Sequence, residues 1–165
     1  VGGSRGAWCS RASGKRHVYK HRKNVDGAIE AALDATLVSF DALLAQSDVV
    51  SLNCPYSDAT HHLMNATTLA QVQPTAFLIN TARGPIVDEA ALVAALQSGA
   101  IAGAGLDVFE NEPTVHPGLL ECDNAVLVPH LGSATVETRG AMAATASSNV
   151  SDVAAGRLPR NLVIP

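Results

Sequence analysis

The sequence predicts an α/β fold, a doubly wound parallel sheet with helices on both faces. Short β-branched runs alternate with helical stretches after residue 24, which is the pattern of strand–helix–strand crossovers. Ala, Val, Leu and Gly are abundant while aromatics make up only 4%, a composition suited to strands buried on both faces and closely packed helices. Hydrophobic residues at 47% against charged residues at 16% mark a globular chain, and 165 residues suffice for one domain with a sizeable core.

The elements follow in order. Residues 28–33 read as part of a helix, 36–40 as a short strand and 41–46 as a short helix. Residues 48–54 read as a buried strand stopped by Pro55. Asn65 is placed to cap a helix over 66–72, broken near Pro74. The strand 76–80 runs into Thr81-Ala-Arg-Gly84. Asp88 is a good N-cap for a helix over 89–97, in which Leu92, Ala95, Leu96 and Ala91 share one face, and Gly99 sits where a C′ glycine belongs. A strand over 104–109, a Pro-containing loop, a strand over 125–128 and a long Ala-rich helix over 134–155, ended by Gly156, complete the chain.

Composition excludes several classes. No apolar run approaches the ~18–20 residues that span a bilayer. The cysteines Cys9, Cys54 and Cys122 have neither metal-site nor CxxC spacing, so no metal is expected, and their odd number suits a reducing cytoplasm. Net charge is −4, but seven of the eleven Lys and Arg lie in residues 1–23, where there is no Asp or Glu. No recognised nucleic-acid module accompanies this basic arm, so a nucleic-acid partner is not expected.

Three segments bear chemistry. In Leu78-Ile-Asn-Thr-Ala-Arg-Gly-Pro-Ile-Val-Asp-Glu89, Arg83 follows a strand and can present a planar fork to a carboxylate; alternatively it pairs on the surface with Asp88 or Glu89. In Gly103-Ala-Gly-Leu-Asp-Val-Phe-Glu-Asn-Glu-Pro113, the acids can orient a histidine or simply form a solvated loop. In Val128-Pro-His-Leu-Gly-Ser-Ala-Thr-Val-Glu-Thr-Arg139, His130 stands at a strand end before a helix start suited to an anion. Ligands of such sheets bind at the carboxyl ends of the strands, where these polar residues fall in sequence order.

Together the segments resemble the signature motifs of the D-isomer-specific 2-hydroxyacid dehydrogenases, in that family's order and spacing, from about Phe40 to Pro165. The resemblance implies a Rossmann-like domain that binds NAD(P). It implies that Arg83 binds the carboxylate and carbonyl of the substrate, that His130 is the acid/base that protonates the carbonyl oxygen, and that Glu112 hydrogen-bonds and orients that histidine. It further implies nicotinamide contacts from Asp107, from the backbone at Thr81 and Ala82, and from Gly132 and Ser133. An adenosine-side wall falls to Cys54, Pro55 and Thr60. The form of the His130 segment and the ending Asn161-Leu-Val-Ile-Pro165 lean towards the glyoxylate, hydroxypyruvate and 2-ketogluconate reductases.

The front departs from the family. A dinucleotide fingerprint needs a strand, then Gly-x-Gly-x-x-Gly, then a helix. Val1-Gly-Gly-Ser-Arg-Gly6 keeps Gly3 and Gly6 at the right mutual spacing, with Val1 where the first glycine belongs, and residues 7–15 lack a helical apolar face. Residues 1–24 are therefore read as a divergent remnant of the glycine-rich loop and second strand. The expectation is a sheet missing its first strand, and a chain without the family's substrate domain. At the end of the second strand, where NAD-preferring enzymes carry an acid, stand Lys20, His21, Arg22 and Lys23. Among these, His21 and Arg22 are placed to hold a 2′-phosphate, so NADP(H) is expected over NAD(H).

The sequence thus predicts one NAD(P)-binding domain over residues 1–165 of a reductase acting on small 2-keto acids. It is expected to be cytoplasmic and homodimeric, with no membrane partner. Three alternatives remain open at this level: a non-catalytic nucleotide-sensing or dimerisation module of the corepressor type, a decayed or incomplete gene product without activity, and a phosphoglycerate dehydrogenase.

Overall fold

The computed structural model describes residues 17–20 and 26–163. In chain order the strands are β1 (His17–Tyr19), β2 (Ala35–Leu37), β3 (Val49–Leu52), β4 (Phe77–Asn80), β5 (Gly103–Leu106) and β6 (Ala125–Leu127). The helices are α1 (Gly27–Leu33), α2 (Phe40–Gln46), α3 (Ala66–Leu69), α4 (Glu89–Ser98), α5 (Pro117–Leu120) and α6 (Val136–Ala154), with a 3-10 turn at Gly84–Ile86. The chain divides into two compact units, Val1–Pro129 and His130–Pro165.

In the first unit every strand pairing is parallel, as the strand–helix alternation predicts. Among the described residues the strands form two sheets, β1 with β2, and β3-β4-β5-β6 in that order. No described strand joins the two. The larger sheet is in register throughout, so that Leu52, Asn80, Leu106 and Leu127 form one row across its carboxyl end. Parallel strands need crossover connections, and short helices supply them here.

Burial alternates along β3 and β4. Val50, Leu52, Leu78 and Asn80 are buried, while Val49 and Phe77 are about half exposed, at 49% and 48%. The expectation of burial on both faces holds on one. Leu69 of α3, Leu92 and Leu96 of α4 and Leu119 of α5 join Val50, Leu78 and Leu106 in a single core cluster on that face. On the other, Val126 is 68% exposed among the described residues.

Local signals set the helix ends. The Asp88 side chain accepts from the Ala91 N–H at 3.0 Å, and Gly99 closes α4 at φ 71°, a left-handed conformation that costs glycine nothing. Asn65 caps α3 in a reciprocal capping box with Thr68, although the helix stops at Leu69, three residues short of expectation. The strand expected over 104–109 ends at Leu106; Val108 and Phe109 are buried in the turn beyond it. The second unit is built around α6. Thr135 caps it through the Thr138 N–H, and no residue of the helix is buried.

A buried polar cluster ties the first unit together beside α4. The loop before α3 runs along the 3-10 turn, with the His62 N–H bonded to the Pro85 carbonyl at 2.9 Å and the Met64 N–H to the Ile86 carbonyl at 3.1 Å. His62 Nε2 lies 2.6 Å from Glu110 Oε1, and the Glu110 N–H donates to Glu89 Oε1 at 2.8 Å. Glu89 is 3% exposed. Burial pushes its carboxyl up from the usual range and the charge of Glu110 adds to this, against the Glu110 N–H and His116, which favour the ionised form.

A group whose folded-state pKa is raised imposes no penalty below its unfolded value and costs stability as pH climbs through the folded value. Glu89→Gln keeps an oxygen for the Glu110 N–H and removes the titration. Its melting temperature relative to the parent should therefore rise as pH is taken from about 4 to 7. Thermal melts across that range test this, and a difference independent of pH would refute the assignment.

Candidate cofactor and substrate site at the strand ends

The in-register row at the carboxyl end of the larger sheet puts the segments that follow β3, β4 and β5 side by side. In open α/β sheets this edge is where ligands bind. After β3 come Cys54 and Pro55. Thr60 closes the loop between them and α3, its Oγ1 accepting from the Ser57 N–H at 2.8 Å and donating to the Pro55 carbonyl at 2.9 Å. Cys54 is partly buried, and that burial pushes its thiol up. A neutral thiol beside a proline ring makes a wall, not a nucleophile.

After β4 the chain turns through Thr81, Ala82 and Arg83. Thr81 and Arg83 are exposed and Ala82 is partly buried. The Asn80 side chain spans this turn, accepting from the Ala82 N–H at 3.1 Å and donating to the Arg83 carbonyl at 2.9 Å. Arg83 Nη1 donates to the Ala82 carbonyl at 2.6 Å. Behind the arginine, Gly84 lies so close to the neighbouring turn that a Cβ there would stand 1.9 Å from the Phe109 carbonyl oxygen.

After β5, Asp107 is 6% exposed and its N–H donates to the Asn80 carbonyl at 3.0 Å, prolonging the ladder by one rung. The chain then folds into a turn in which the Phe109 N–H donates to Glu112 Oε1 at 3.0 Å. Asp107 and Glu112 thus belong to one short segment, held to α4 through Glu110 and Glu89. In the second unit, His130 is exposed with φ 53°, Gly132 is exposed and Ser133 partly buried, all ahead of the cap of α6. A left-handed non-glycine residue is uncommon and marks His130 as a constrained position.

The strand ends therefore bring together Cys54, Pro55, Thr60, Thr81, Ala82, Arg83, Asp107 and Glu112. His130, Gly132 and Ser133 lie in the second unit. Gly3, Gly6, His21 and Arg22 lie outside the described residues. Sequence reading missed four contributors, Asn80, Gly84, His62 and Glu110. For Asn80 a signal was present, a polar residue at an inward position of an alternating strand. For the His62–Glu110 contact, 48 residues apart in the chain, there was none.

A parallel α/β sheet with polar residues along its carboxyl edge is a ligand-binding class of architecture. Comparison with known proteins narrows this class. A family model described as D-isomer specific 2-hydroxyacid dehydrogenase, NAD binding domain, matches residues 3–132, and the chain belongs to that family. It is 50% identical over 149 residues to glyoxylate/hydroxypyruvate reductase B of Shigella boydii serotype 4, with 90% of this chain and 46% of that protein aligned, and equally to the Escherichia coli K12 protein of the same name. The chain thus spans about half the length of these curated relatives. Among solved structures, the NADPH-dependent glyoxylate/hydroxypyruvate reductase of Sinorhizobium meliloti, in complex with NADP and malonate, superposes with a TM-score of 0.81 at 40% identity, over 88% of this chain and 44% of that one. The TT0316 protein of Thermus thermophilus gives 0.87 at 42% identity, over 96% and 49%. The fold is that of the Rossmann-like NAD-binding domain of these dehydrogenases.

The donor set suits a dinucleotide. The Cys54–Pro55 segment offers an apolar face, while the carbonyl oxygens of Thr81 and Ala82 and the Asp107 carboxylate are acceptors of the kind an amide-bearing ring can use.

The packing of Gly84 yields a sharp expectation. Gly84→Ala drives a methyl group into the Phe109 main chain, which no rotamer relieves. The substitution should cost about 3 kcal/mol or more in stability and displace the turn that carries Arg83. Denaturant unfolding measures the first; a variant as stable as the parent would show that the close approach is not real.

Proposed function

We propose that this chain is the cofactor-binding part of an NADP(H)-dependent reductase that converts small 2-keto acids, of the glyoxylate, hydroxypyruvate and 2-ketogluconate kind, to D-2-hydroxy acids. The observation that supports it most is the alignment of three adjacent strand ends, which sets the Cys54–Pro55 wall, the Thr81–Arg83 turn and Asp107 in one line. The cofactor, when bound, supplies the hydride. The rest is the work of the chain's own residues.

Arg83 anchors the substrate, since a guanidinium matches a carboxylate bidentately and stays charged at any working pH. His130 donates a proton to the carbonyl oxygen, for a ketone that receives hydride becomes an alkoxide unless a proton arrives. The family resemblance assigns to Glu112 the orienting of His130. Asp107, with the backbone at Thr81 and Ala82, holds the carboxamide end of the cofactor, and Gly132 and Ser133 flank it. The family resemblance assigns the pyrophosphate to Gly3 and Gly6 and a 2′-phosphate to His21 and Arg22, which favours NADP(H) over NAD(H). The family resemblance supports a domain extending over residues 1–165, with 1–24 its divergent portion, as well as a cytoplasmic homodimer. No helix among the described residues is long and apolar enough to cross a membrane.

Titration of the chain with NADPH and NADH tests the cofactor assignment. NADPH should bind in the micromolar range and more tightly than NADH, with the preference lost in Arg22→Asp and retained in His130→Ala. In the whole protein carrying this chain, His130→Ala should lower kcat for glyoxylate or hydroxypyruvate reduction by roughly 10²–10⁴-fold. Equal affinity for both nucleotides would remove the 2′-phosphate assignment. Nucleotide binding without turnover of any keto acid by the whole protein would replace the reductase with a sensing module.

A further inference from the structure

The residues that close β3, β4, β5 and β6 stand in one row, and three of them, Leu52, Leu106 and Leu127, are leucines. The fourth is Asn80, 1% exposed and among the most deeply buried side chains described. A buried amide among leucines is unfavourable unless both its donor and its acceptor are used. Both are used here, and on one turn. Oδ1 takes the Ala82 N–H at 3.1 Å and Nδ2 donates to the Arg83 carbonyl at 2.9 Å.

Asparagine and leucine share the same branching at Cγ. Leucine at this position would complete the apolar row with nearly the same shape; what it would not do is hold the turn. The main-chain carbonyl of Asn80 has a separate task, accepting the Asp107 N–H at 3.0 Å, which a change of side chain leaves intact. The two candidate contacts fixed at this residue are therefore separable, Arg83 through the side chain and Asp107 through the backbone. The Ala82 carbonyl, which receives the Arg83 guanidinium at 2.6 Å, belongs to the peptide between the two that Asn80 holds, so the arginine rests on a segment fixed on both sides.

We propose that Asn80 is a positioning residue for keto-acid reduction. Its side-chain amide fixes the backbone at Ala82 and Arg83, and so fixes the point from which the guanidinium meets the substrate carboxylate. The inference rests on the reading of Arg83 as substrate anchor. A purely structural amide would act on the melting temperature and reach every kinetic constant through it; a positioning residue acts through Arg83.

A double-mutant cycle separates these roles. In the whole protein carrying this chain, kcat/KM for glyoxylate and hydroxypyruvate is measured in the parent, Asn80→Leu, Arg83→Ala and the double variant, together with the NADPH dissociation constant. Asn80→Ala is taken through the same cycle in case leucine does not fit. Asn80→Leu should melt as a folded protein and lose roughly 10–100-fold in kcat/KM, mainly through the KM of the keto acid, since small misplacements of an anchoring group cost that much. NADPH affinity should stay within about twofold, and in the Arg83→Ala background the Asn80 substitution should cost less than about threefold, because groups acting as one unit are not additive. Equal losses in both backgrounds would overturn the proposal.

Amide exchange supplies a readout that needs no turnover. The Ala82 N–H should be protected in the parent and exchange at least ~10-fold faster in either Asn80 variant, while the amides of β4 and β5 keep their protection. Unchanged exchange at Ala82 would also overturn the role of Asn80, whatever the activity. A parent protein that reduces no keto acid would instead reject the reductase reading on which Arg83 stands, a result distinct from either failure of Asn80.

Discussion

Parallel pairing without a slip of register across β3, β4, β5 and β6 is the constraint on which the first unit depends. Parallel strands point their carboxyl ends the same way, so whatever follows each strand emerges on one edge. With Leu52, Asn80, Leu106 and Leu127 in one row, the next residues of each segment leave at equal height. A slip of one residue would turn every side chain to the opposite face. It would bring Phe77 and Ile79 into the core and turn Leu78 and Asn80 out of it, and the turn carrying Arg83 would lose its buried tether. The hydrophobic pattern that stabilises the sheet and the geometry that lines up the strand-end residues are thus the same fact.

The loops on that edge are held by polar contacts as well as by the burial of Ile86, Val108 and Phe109. His62 reaches Glu110, Glu110 meets Glu89 at the start of α4, and Gly84 leaves room for the Phe109 main chain. Burying carboxylates so close together is costly, as the upward push on Glu89 records. The Glu110 N–H and His116 offset that cost. The benefit is placement. The segment from Asp107 to Glu112 is gripped at Asp107 by the strand, at Phe109 by its own Glu112, and at Glu110 from two sides, so its acidic residues are held in place. His62 itself sits at φ 48°, a conformation unusual for any residue but glycine, and its ring stacks on His61 with centroids 3.9 Å apart.

Local chemistry was legible in the sequence and long-range polar chemistry was not. Asp88 and Gly99 announce the two ends of α4, because a cap and a left-handed glycine act within a few residues of themselves. Arg83, Asp107, Glu112 and His130 each come after a strand that periodicity could find, and β4, β5 and β6 are present ahead of them. The strand over 104–109 was read too long for a physical reason. Val108 and Phe109 are as apolar and as buried as strand residues, and hydrophobic pattern reports burial, not ladder pairing. The order of the strands was not legible either, because alternation of strands and helices says nothing about which strands are neighbours. The pairing of His62 with Glu110 depends on two loops 48 residues apart meeting in space, and no local signal carries that.

On the proposed reading, the resting contact of Arg83 bears on how a substrate would be received. The guanidinium donates to the Ala82 carbonyl, a neutral acceptor on its own turn. A keto acid would offer a charged, planar partner, and Arg–carboxylate bonds are roughly twice as strong as neutral ones and come in pairs. The exchange therefore favours the substrate without any movement of the backbone, provided the backbone is already in place. That proviso is met by the Asn80 amide from below and by the close approach of Gly84 to Phe109 from behind. Rigidity in the turn and mobility confined to one side chain are what a small anion with few atoms to grip requires, since so little binding energy is available to reorganise the site.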